Sequence, residues 1–262
     1  MSWRPVDCHA HSTWSDGDLP VAEVVRLGAE RGVRVTIADH VTRDISRGVT
    51  SAAQFAAYVA DLERHDVLRA AEHCWHDALW RELPAAAIRR LTHRVGSLHA
   101  IFLPGGEPLH AFSSRFPKDL GADAYMDAHV ENVERFAREM PVDILAHPTL
   151  LPHALRQRPL EELWTEPREE RAITALKRAG IAFEISNRYR PHERFVRRAW
   201  DAGVRLSLGS DGHTREQVAD VAWPLALAHA LGVGEESLYD PARHGSRTGY
   251  WDSPPRAAAA AP

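Results

Sequence analysis

The sequence predicts an α/β fold in which parallel strands, each followed by a helix, close into a barrel. About seven short apolar segments alternate with longer amphipathic segments along the chain. This order is typical of a parallel sheet with helical crossovers. The number of units favours a closed barrel over an open, doubly wound sheet. No Gly-x-Gly-x-x-Gly or Walker-type loop follows a predicted strand. The sequence therefore lacks the main signal of a nucleotide-binding fold.

The predicted helices have apolar residues that recur every three or four positions, and some carry a terminal signal. Gly32 fits the C-cap of the first helix, and Pro84 fits the first turn of the third. In chain order the helix-like segments are 19–32, 51–65, 82–91, 123–140, 166–180, 191–203 and 214–232. The strand-like segments that alternate with them are 5–11, 33–40, 66–75, 92–101, 141–148, 181–187 and 204–213.

Two segments depart from this alternation. Residues 102–121 are rich in Gly, Pro and Ser, and an irregular stretch of that length in a compact domain is usually a lid or a binding loop. Residues 251–262 have low complexity, so we expect them to form a disordered tail. Neither a repeat nor a linker divides the rest, and the sequence therefore predicts a single domain over 1–250.

Composition argues against several classes of protein. The chain has 262 residues, a net charge of −4 and a sequence pI near 6.5, so it lacks the basic field that holds long nucleic acid. It has no apolar run of membrane-spanning length, no signal-like N-terminus, and too few cysteines for a disulfide framework. We therefore expect a cytoplasmic protein without a membrane or long nucleic acid as partner. The oligomeric state stays open.

The opening segment VDCHAHSTWSDGDLP points to a metal site. If 5–11 is a strand, Asp7, His9 and His11 share one face because side chains alternate along a strand. Two imidazoles on one face suit a divalent cation, and the turn Ser15-Asp16-Gly17 can return a carboxylate to the same point. A His-x-His pair alone is more often two ordinary histidines than a ligand pair, so it needs support from elsewhere in the chain.

That support comes from the positions of the other histidines and carboxylates. Ligand-type residues stand at or near the carboxyl ends of most predicted strands: His9, His11, His40, Glu72, His99, His147, Asp211 and His213. In barrels of parallel strands these ends converge on the active-site mouth. Imidazole and carboxylate ligands suit Zn, Mn or Fe, and two such ions about 3.5–4 Å apart can activate water and neutralise a phosphoryl group. The sequence therefore predicts a centre of divalent metal ions.

The same segments resemble a known family. The motifs DCHAHSTWSDG, IADH, LRAAEHCW, GSLHAI, LAHP, FEISNRYRP and LGSDGH occur in the order found in the PHP family, named for polymerase and histidinol phosphatase domains. The resemblance covers roughly residues 5–213 and implies a distorted (β/α)7 barrel that holds two or three divalent metal ions. Many stand-alone members hydrolyse phosphate esters. Two departures are Ala38, where threonine is frequent, and the AAE run before the glutamate.

Carried over residue by residue, the resemblance implies nine metal ligands. One ion would be held by His9, His11, Glu72 and Asp211, a second by Glu72, His99 and His147, and a third by Asp16, His40 and His213. The residues among them expected to act in catalysis are Asp16, His40, Glu72 and Asp211. The resemblance also implies that Glu184 lies beside this centre without being a ligand.

Other residues near the predicted centre have supporting roles. Asp7 and Asp39 either orient the ligating histidines or make structural hydrogen bonds only, and both alternatives stay open. Cys8 and Cys74 are expected to be core residues that face away from the centre or pack beside it.

Substrate contacts are expected after the sixth strand and in the long loop. The candidates are Asn187, Arg188 and Arg190 in the first place and His110, Arg115 and Lys118 in the second. A guanidinium can grip two phosphate oxygens at once, so we expect at least one arginine to clamp the substrate, but the sequence does not choose between the two. The loop either covers the mouth or only crosses the surface.

The sequence leaves three hypotheses about the function of the protein. The leading hypothesis is a metal-dependent phosphomonoesterase that acts on a small phosphorylated metabolite, with histidinol phosphate as one candidate because the resemblance includes histidinol phosphatases. The second is a phosphodiesterase or exonuclease-like hydrolase that acts on short nucleotides. The third is a barrel that binds metal without catalysis. The third predicts lost ligands, whereas all nine positions carry ligand-type residues.

Overall fold

The computed structural model describes residues 3–246, and the predicted tail 251–262 lies outside the described residues. The strands are β1 (Val6–Ala10), β2 (Arg34–Ile37), β3 (His40–Val41), β4 (Leu68–Arg69), β5 (Glu72–Cys74), β6 (Val95–Ser97), β7 (Ala100–Phe102), β8 (Pro108–His110), β9 (Ile144–Leu145), β10 (Ala182–Ser186) and β11 (Leu206–Gly209). The helices are α1 (Val21–Glu30), α2 (Ala52–Leu62), α3 (Ala85–Ile88), α4 (Ala122–Glu139), α5 (Leu160–Leu163), α6 (Glu166–Ala179), α7 (Glu193–Asp201), α8 (Ala222–Ala230) and α9 (Pro241–His244).

The predicted parallel α/β arrangement is confirmed. One sheet has the order β1-β2-β4, and another has the order β3-β5-β6-β9-β10-β11. Every pairing within these two sheets is parallel. Because β3 directly continues β2 and β5 directly continues β4, the strands lie side by side in sequence order. Their carboxyl ends therefore point to one end of the molecule.

The described residues do not form the single closed sheet that the sequence predicts. The second and third strands are each interrupted, and the buried hydroxyl of Tyr58 from α2 lies at both interruptions. It accepts a hydrogen bond from the amide of Asp39 at 3.1 Å and donates one to the carbonyl of Ala70 at 2.8 Å. The Tyr58 hydroxyl thus makes hydrogen bonds that the backbone groups of the two strands would make to each other in an uninterrupted sheet.

The outer strands β1 and β11 nevertheless meet. Their contact is an isolated parallel bridge between Ala10 and Gly212. The amide of His11 donates to the carbonyl of Gly212 at 2.9 Å, and the amide of Asp211 donates to the carbonyl of His9 at 2.8 Å. The first and last strands of the predicted series therefore end beside each other.

Several helices are shorter than predicted. Gly180 ends α6 in the left-handed conformation, with φ 68°, as glycine does at many helix ends. By contrast, the predicted helix 82–91 is reduced to α3, and 214–232 is reduced to α8. The segment before α8 makes a tertiary hydrogen bond instead of a helical one: the amide of Ala219 donates to the carboxylate of Asp7 at 3.1 Å. Tertiary hydrogen bonds override helical periodicity there.

The segment 102–121 is less irregular than predicted. Its first part continues β7 into β8, which form an antiparallel hairpin in which Ala100 pairs with His110. Gly105 in the turn has φ 73°, a conformation that glycine adopts without strain. Within residues 3–246, no helix combines the length and apolar character needed to cross a membrane.

Candidate metal centre and cavity

The side chains that the resemblance implies as ligands lie in one cluster at the carboxyl ends of the parallel strands. His9 lies in β1, His40 in β3 and Glu72 in β5. The others lie in segments that follow strands: His11, Asp16, His99, His147, Asp211 and His213. Contacts between imidazoles and carboxylates connect all nine residues. The structure therefore brings together every residue of the predicted set.

Glu72 lies at the middle of this cluster and is fully buried. Its Oε1 lies 3.0 Å from His147 Nε2 and 3.3 Å from His99 Nε2. Its Oε2 lies 2.7 Å from His40 Nδ1 and 3.5 Å from His9 Nε2. One carboxylate thus contacts histidines from four different strand ends, which is the position a ligand shared between two ions would occupy.

Two further carboxylates connect the remaining histidines. Asp211 Oδ1 lies 3.2 Å from His11 Nε2. Asp16 Oδ1 lies 3.3 Å from His213 Nε2 and 3.4 Å from His40 Nε2. Each carboxylate therefore faces imidazole nitrogens that come from other parts of the chain.

The turn after β1 places Asp16 in this cluster. The amides of Ser15 and Gly17 donate to the carbonyl of Ser12 at 3.1 Å and 3.0 Å. A Cβ on Gly17 would lie only 2.7 Å from the backbone of His11, so the turn can fold this closely only with glycine. The Ser-Asp-Gly turn thus returns a carboxylate towards the histidines, as the sequence predicts.

Several buried polar atoms of the cluster form no well-aligned hydrogen bond among the described residues, although they lie close to one another or to other ligand-type atoms: Asp16 Oδ1, His40 Nδ1 and Glu72 Oε2. Buried polar atoms are normally satisfied, and each exception calls for an explanation. A cation between these atoms would satisfy them together. The donor set, imidazole nitrogen and carboxylate oxygen, is one that divalent transition metals accept.

Two pairs of imidazole nitrogens that face each other also indicate a cation site. His9 Nε2 lies 3.1 Å from His11 Nε2, and His99 Nε2 lies 3.3 Å from His147 Nε2. His9 Nδ1 is already engaged as a donor to a carboxylate at 2.9 Å, so in the neutral ring its Nε2 presents a lone pair to the neighbouring imidazole. The residues present therefore fit a bound divalent cation.

The carboxylates are held in the ionised form that a cation requires. Burial alone would raise the pKa of Glu72, but the positive charge of neighbouring histidines, first among them His40, lowers it well below its usual range. Burial would likewise raise the pKa of Asp211, but the hydrogen bond with His11 and nearby histidine charge lower it. Both groups are therefore anionic at neutral pH, which favours metal binding.

Glu184 lies beside the cluster, as the resemblance implies, and its two oxygens hold two of the histidines. Oε1 accepts from His9 Nδ1 at 2.9 Å, and Oε2 accepts from the backbone amide of His147 at 2.6 Å. A Cβ on Gly209 in the neighbouring strand would collide with the Glu184 carboxylate, so glycine makes room for it. Glu184 thus fixes the His9 ring with Nε2 directed at the centre.

We expect Glu184→Gln to weaken divalent-metal binding about 10- to 100-fold, because glutamine supplies one acceptor oxygen where two donors need two. Competition titration against a metal-binding dye measures this. Glu169→Gln is the matched control, since Glu169 is also buried and pairs with a histidine, His192 Nε2 at 2.7 Å, but does not line the cavity. Equal metal affinity of Glu184→Gln and the parent would contradict the role assigned to Glu184.

Asp7 and Asp39 bind the loops that carry the cluster. Asp39 Oδ1 accepts from the amide of Ser12 at 2.8 Å and from Ser15 Oγ at 2.6 Å. Asp7 accepts from the amide of Ser210 at 2.9 Å and from its hydroxyl at 2.6 Å. Burial raises the pKa of Asp7 to about 6. Of the two alternatives left open by the sequence, the structure shows hydrogen bonds to loops, with no bond from either carboxylate to an imidazole nitrogen among the described residues.

Backbone strain also concentrates in this cluster. His147 has φ 29° and Asp211 has φ 50°, in the left-handed region that side chains other than glycine rarely adopt. Such conformations cost about 1–3 kcal/mol each and persist where surrounding contacts enforce them, commonly at functional sites. At both positions the strain orients a side chain towards Glu72 or the histidines.

A cavity of about 390 Å³ opens beside the cluster. Five of the predicted ligands line it: Asp16, His40, His99, Asp211 and His213. Its volume falls in the range of about 300–1,000 Å³ that is typical of small-molecule sites. A small molecule in this cavity would contact the candidate metal centre directly.

The structure separates the predicted substrate contacts. Arg188 lines the cavity. The guanidinium of Arg190 lies 4.9 Å from the ring centre of Trp223 and donates to the carbonyl of Asn187 at 3.1 Å. The Asn187 amide donates to Asp220 at 2.9 Å. Neither Asn187 nor Arg190 lines the cavity, so of these three candidates only Arg188 is placed to meet a substrate there.

Of the candidate substrate contacts in segment 102–121, only some lie at the cavity. His110, at the end of β8, and Phe112 line the cavity. Arg115 and Lys118 are exposed and do not line it. The hairpin thus reaches the cavity mouth, while the segment that follows it lies on the surface.

Sequence reasoning missed part of the cavity wall. Asp44 and His76 line the cavity, and neither is among the predicted site residues. Cys74, expected to face away from the centre or to pack beside it, packs beside it, with Sγ 3.2 Å from His99 Nδ1. Side-chain alternation places Cys74 on the same face of the predicted strand as Glu72, whereas His76 lies beyond both that strand and β5. Asp44 belongs to the loop after β3, for which no such periodic rule applies.

Comparisons with known proteins bear on the fold. No protein-family model and no curated protein matches the chain. Among solved structures, a candidate histidinol phosphatase from Listeria monocytogenes matches with a TM-score of 0.66 and 14% identity, covering 82% of this chain and 97% of that chain. A β-mannanase from Thermomonospora fusca matches with a TM-score of only 0.42 and 11% identity, over 88% of this chain and 76% of that chain. The chain therefore shares an α/β fold with the Listeria protein.

Proposed function

We propose that this protein is a metal-dependent phosphoesterase that hydrolyses a small phosphorylated metabolite. The observation that carries the proposal is the convergence of the nine ligand-type side chains in one cluster beside a cavity that five of them line. Buried Glu72 at its middle contacts histidines from four strand ends. A metal-dependent hydrolase needs a cluster of metal ligands beside a space for its substrate. The chain provides both at the carboxyl ends of its parallel strands, where enzymes of this architecture act.

We further propose that the two parallel sheets are arcs of a distorted (β/α)7 barrel of the PHP type. Sequence-ordered parallel strands and the contact between β1 and β11 support this assignment. The motif order and the fold shared with a candidate histidinol phosphatase support phosphate ester hydrolysis. Histidinol phosphate is accordingly one substrate to test.

The residues that would hold two or three divalent ions are the nine of the cluster. When bound, Zn, Mn or Fe ions would activate a water molecule and neutralise phosphate oxygens during displacement. The chain itself supplies fixed imidazoles, oriented for His9 by Glu184, and ionised carboxylates of Glu72 and Asp211. Most of these side chains are buried, and a low local dielectric strengthens their electrostatic interactions with a substrate anion.

Arg188 is the proposed phosphate clamp. Its NH1 lies 2.7 Å from His213 Nδ1 and 4.0 Å from Asp211 Oδ1, so its guanidinium lies at the edge of the cluster. A guanidinium there can bind two non-transferring oxygens of a phosphate group and fix the ester for attack. The proposal uses Arg188 alone, because Arg190 is directed towards Trp223.

We expect Arg188→Lys to lower kcat/KM for the best phosphomonoester at least about tenfold, roughly 1.4 kcal/mol, with metal content unchanged. Lysine keeps the charge but loses the bidentate fork. Arg190→Lys is the matched control, and we expect it to retain the parental rate. Steady-state kinetics of the three proteins test this. A parental rate for Arg188→Lys would rule out the clamp.

A phosphate-release screen tests the proposed function. Purified protein supplied with Zn, Mn or Fe would be assayed with phosphorylated metabolites, histidinol phosphate among them, and with dinucleotides and other short phosphodiesters. The proposal predicts release of phosphate from monoesters at rates well above those for diesters. Preferential cleavage of diesters would instead favour a nucleotide phosphodiesterase. No hydrolysis of either class would favour a non-catalytic metal-binding barrel.

A further inference from the structure

A second group of ligand-type side chains lies at the cavity, outside the nine-residue cluster. Asp44 Oδ2 lies 2.7 Å from His76 Nε2 and 3.1 Å from His110 Nδ1. All three residues line the cavity. They come from the loop after β3, the segment after β5 and the end of β8. We call these three residues the Asp44 cluster.

The two histidines of the Asp44 cluster differ in exposure. The His76 side chain is only 5% exposed, and burial lowers its pKa, so this imidazole is neutral and donates Nε2–H to Asp44. The His110 side chain is 36% exposed. Since His110 Nδ1 is directed at Asp44, its Nε2 is the ring nitrogen left to meet a ligand. The arrangement is that of a histidine oriented by a carboxylate.

Other groups on the cavity wall are less suited to donate a proton. Tyr189 packs edge-on against the ring of His147, a predicted ligand, with the ring centres 5.4 Å apart, and so belongs with the candidate metal centre. Cys74 faces His99 at 3.2 Å, and an arginine such as Arg188 does not release its proton. The other acidic and imidazole groups on the wall belong to the candidate metal centre. His110 is thus the best-placed proton donor among the described residues.

We propose that His110, oriented by Asp44, is the general acid that protonates the leaving oxygen of the phosphate ester. This inference rests on the proposed function. As the bond between phosphorus and the ester oxygen breaks, the proton on His110 Nε2 passes to that oxygen, and the product leaves as a neutral alcohol. Water supplies the new oxygen on phosphate, and the imidazole regains a proton from solvent. Asp44 is a positioning residue that engages Nδ1 of the ring and leaves Nε2 for the substrate.

The same three side chains could instead hold a metal ion, because their ligand atoms all lie within 4.8 Å of one another. The hydrogen bond between His76 and Asp44 and the 3.1 Å approach of His110 Nδ1 account for both contacts of Asp44 without an ion. It also explains the half-exposed ring of His110 at the mouth. Metal content therefore has to be measured together with activity.

Leaving-group dependence tests the proposal. An alkyl phosphate releases a strongly basic alkoxide and needs a proton donor, whereas para-nitrophenyl phosphate releases a weakly basic phenolate and does not. General acid catalysis typically contributes about 10²–10⁴-fold. We expect His110→Asn, whose amide can still donate to Asp44, to lower kcat/KM for the alkyl ester at least about 100-fold. We expect a loss of less than about threefold for the nitrophenyl ester.

Two further variants complete the experiment. Asp44→Asn should show the same selective loss for the alkyl ester in smaller measure, because the ring loses its orienting charge. His229→Asn, a change of an exposed histidine on α8, should leave both rates at the parental value. Metal content is determined for every variant.

Each outcome decides the proposal. Equal losses for the two esters, or no loss for either, would show that His110 is not the acid. A fall in metal content of His110→Asn would show that the Asp44 cluster is a metal site and would also overturn the proposal. If the parent protein hydrolyses neither ester under any metal condition, the proposed function itself fails, and this inference fails with it. A parent that turns over both esters isolates the role of His110.

Discussion

Glu72→Gln is expected to lower kcat/KM for phosphomonoester hydrolysis at least about 1,000-fold, roughly 4 kcal/mol of transition-state stabilisation. Glu72 is the carboxylate that contacts histidines from four strand ends. Glutamine keeps the size of the side chain but removes its charge and one acceptor oxygen. Steady-state kinetics with the best substrate, together with metal analysis, measure the effect.

The control for this variant is Glu63→Gln, which makes the same chemical change at the surface, where Glu63 pairs with Arg90. Exposed ion pairs contribute about 0–1 kcal/mol, so this control should keep its metal content and its activity. Full turnover and unchanged metal content in Glu72→Gln would remove Glu72 from the centre and with it the bridging role that the resemblance implies.

Removal of bound metal should destabilise the protein strongly. A ligand present at about a thousand times its dissociation constant stabilises the folded state by about 4 kcal/mol. For a chain of this size that corresponds to a shift of about 8–16 °C in Tm. The physical reason is that the cluster holds buried Glu72 and Asp211 as anions and leaves several buried polar atoms without a well-aligned hydrogen bond among the described residues. Thermal unfolding with and without a chelator measures the shift.

Two comparisons make this result specific. Adding back the divalent ion should restore Tm. The Glu72→Gln variant, with a disrupted centre, should shift much less on chelation than the parent. A parent whose Tm is the same before and after metal removal would show that the cluster is stable by itself, and the metal centre would lose its thermodynamic support.

The sequence predicted the cluster better than it predicted the sheet. Two rules indicated that the residues of the cluster lie near one another. Side chains alternate along a strand, and the carboxyl ends of parallel strands share one edge. These rules placed His9 with His11 and brought residues as distant as His40 and Asp211 to one point. They hold even though the strands divide into two sheets, because the strand order is unchanged.

The rest depended on contacts that no periodic pattern encodes. The hydroxyl of Tyr58 enters the interruptions of two strands, and nothing near Tyr58 in the sequence indicates this. The choice between Arg188 and Arg190 depended on an aromatic ring from α8, over which Arg190 lies. The Asp44 cluster is assembled from three separate segments, so only tertiary structure shows it.

Phosphate release measured against the number of divalent ions bound per chain tests directly whether hydrolysis depends on the metal centre. Protein stripped with a chelator would be titrated with Zn, Mn or Fe, and bound metal and hydrolysis would be determined on the same samples. The account predicts no turnover without metal and full turnover when at least about two ions are bound. Full turnover in protein shown to be metal-free would contradict it.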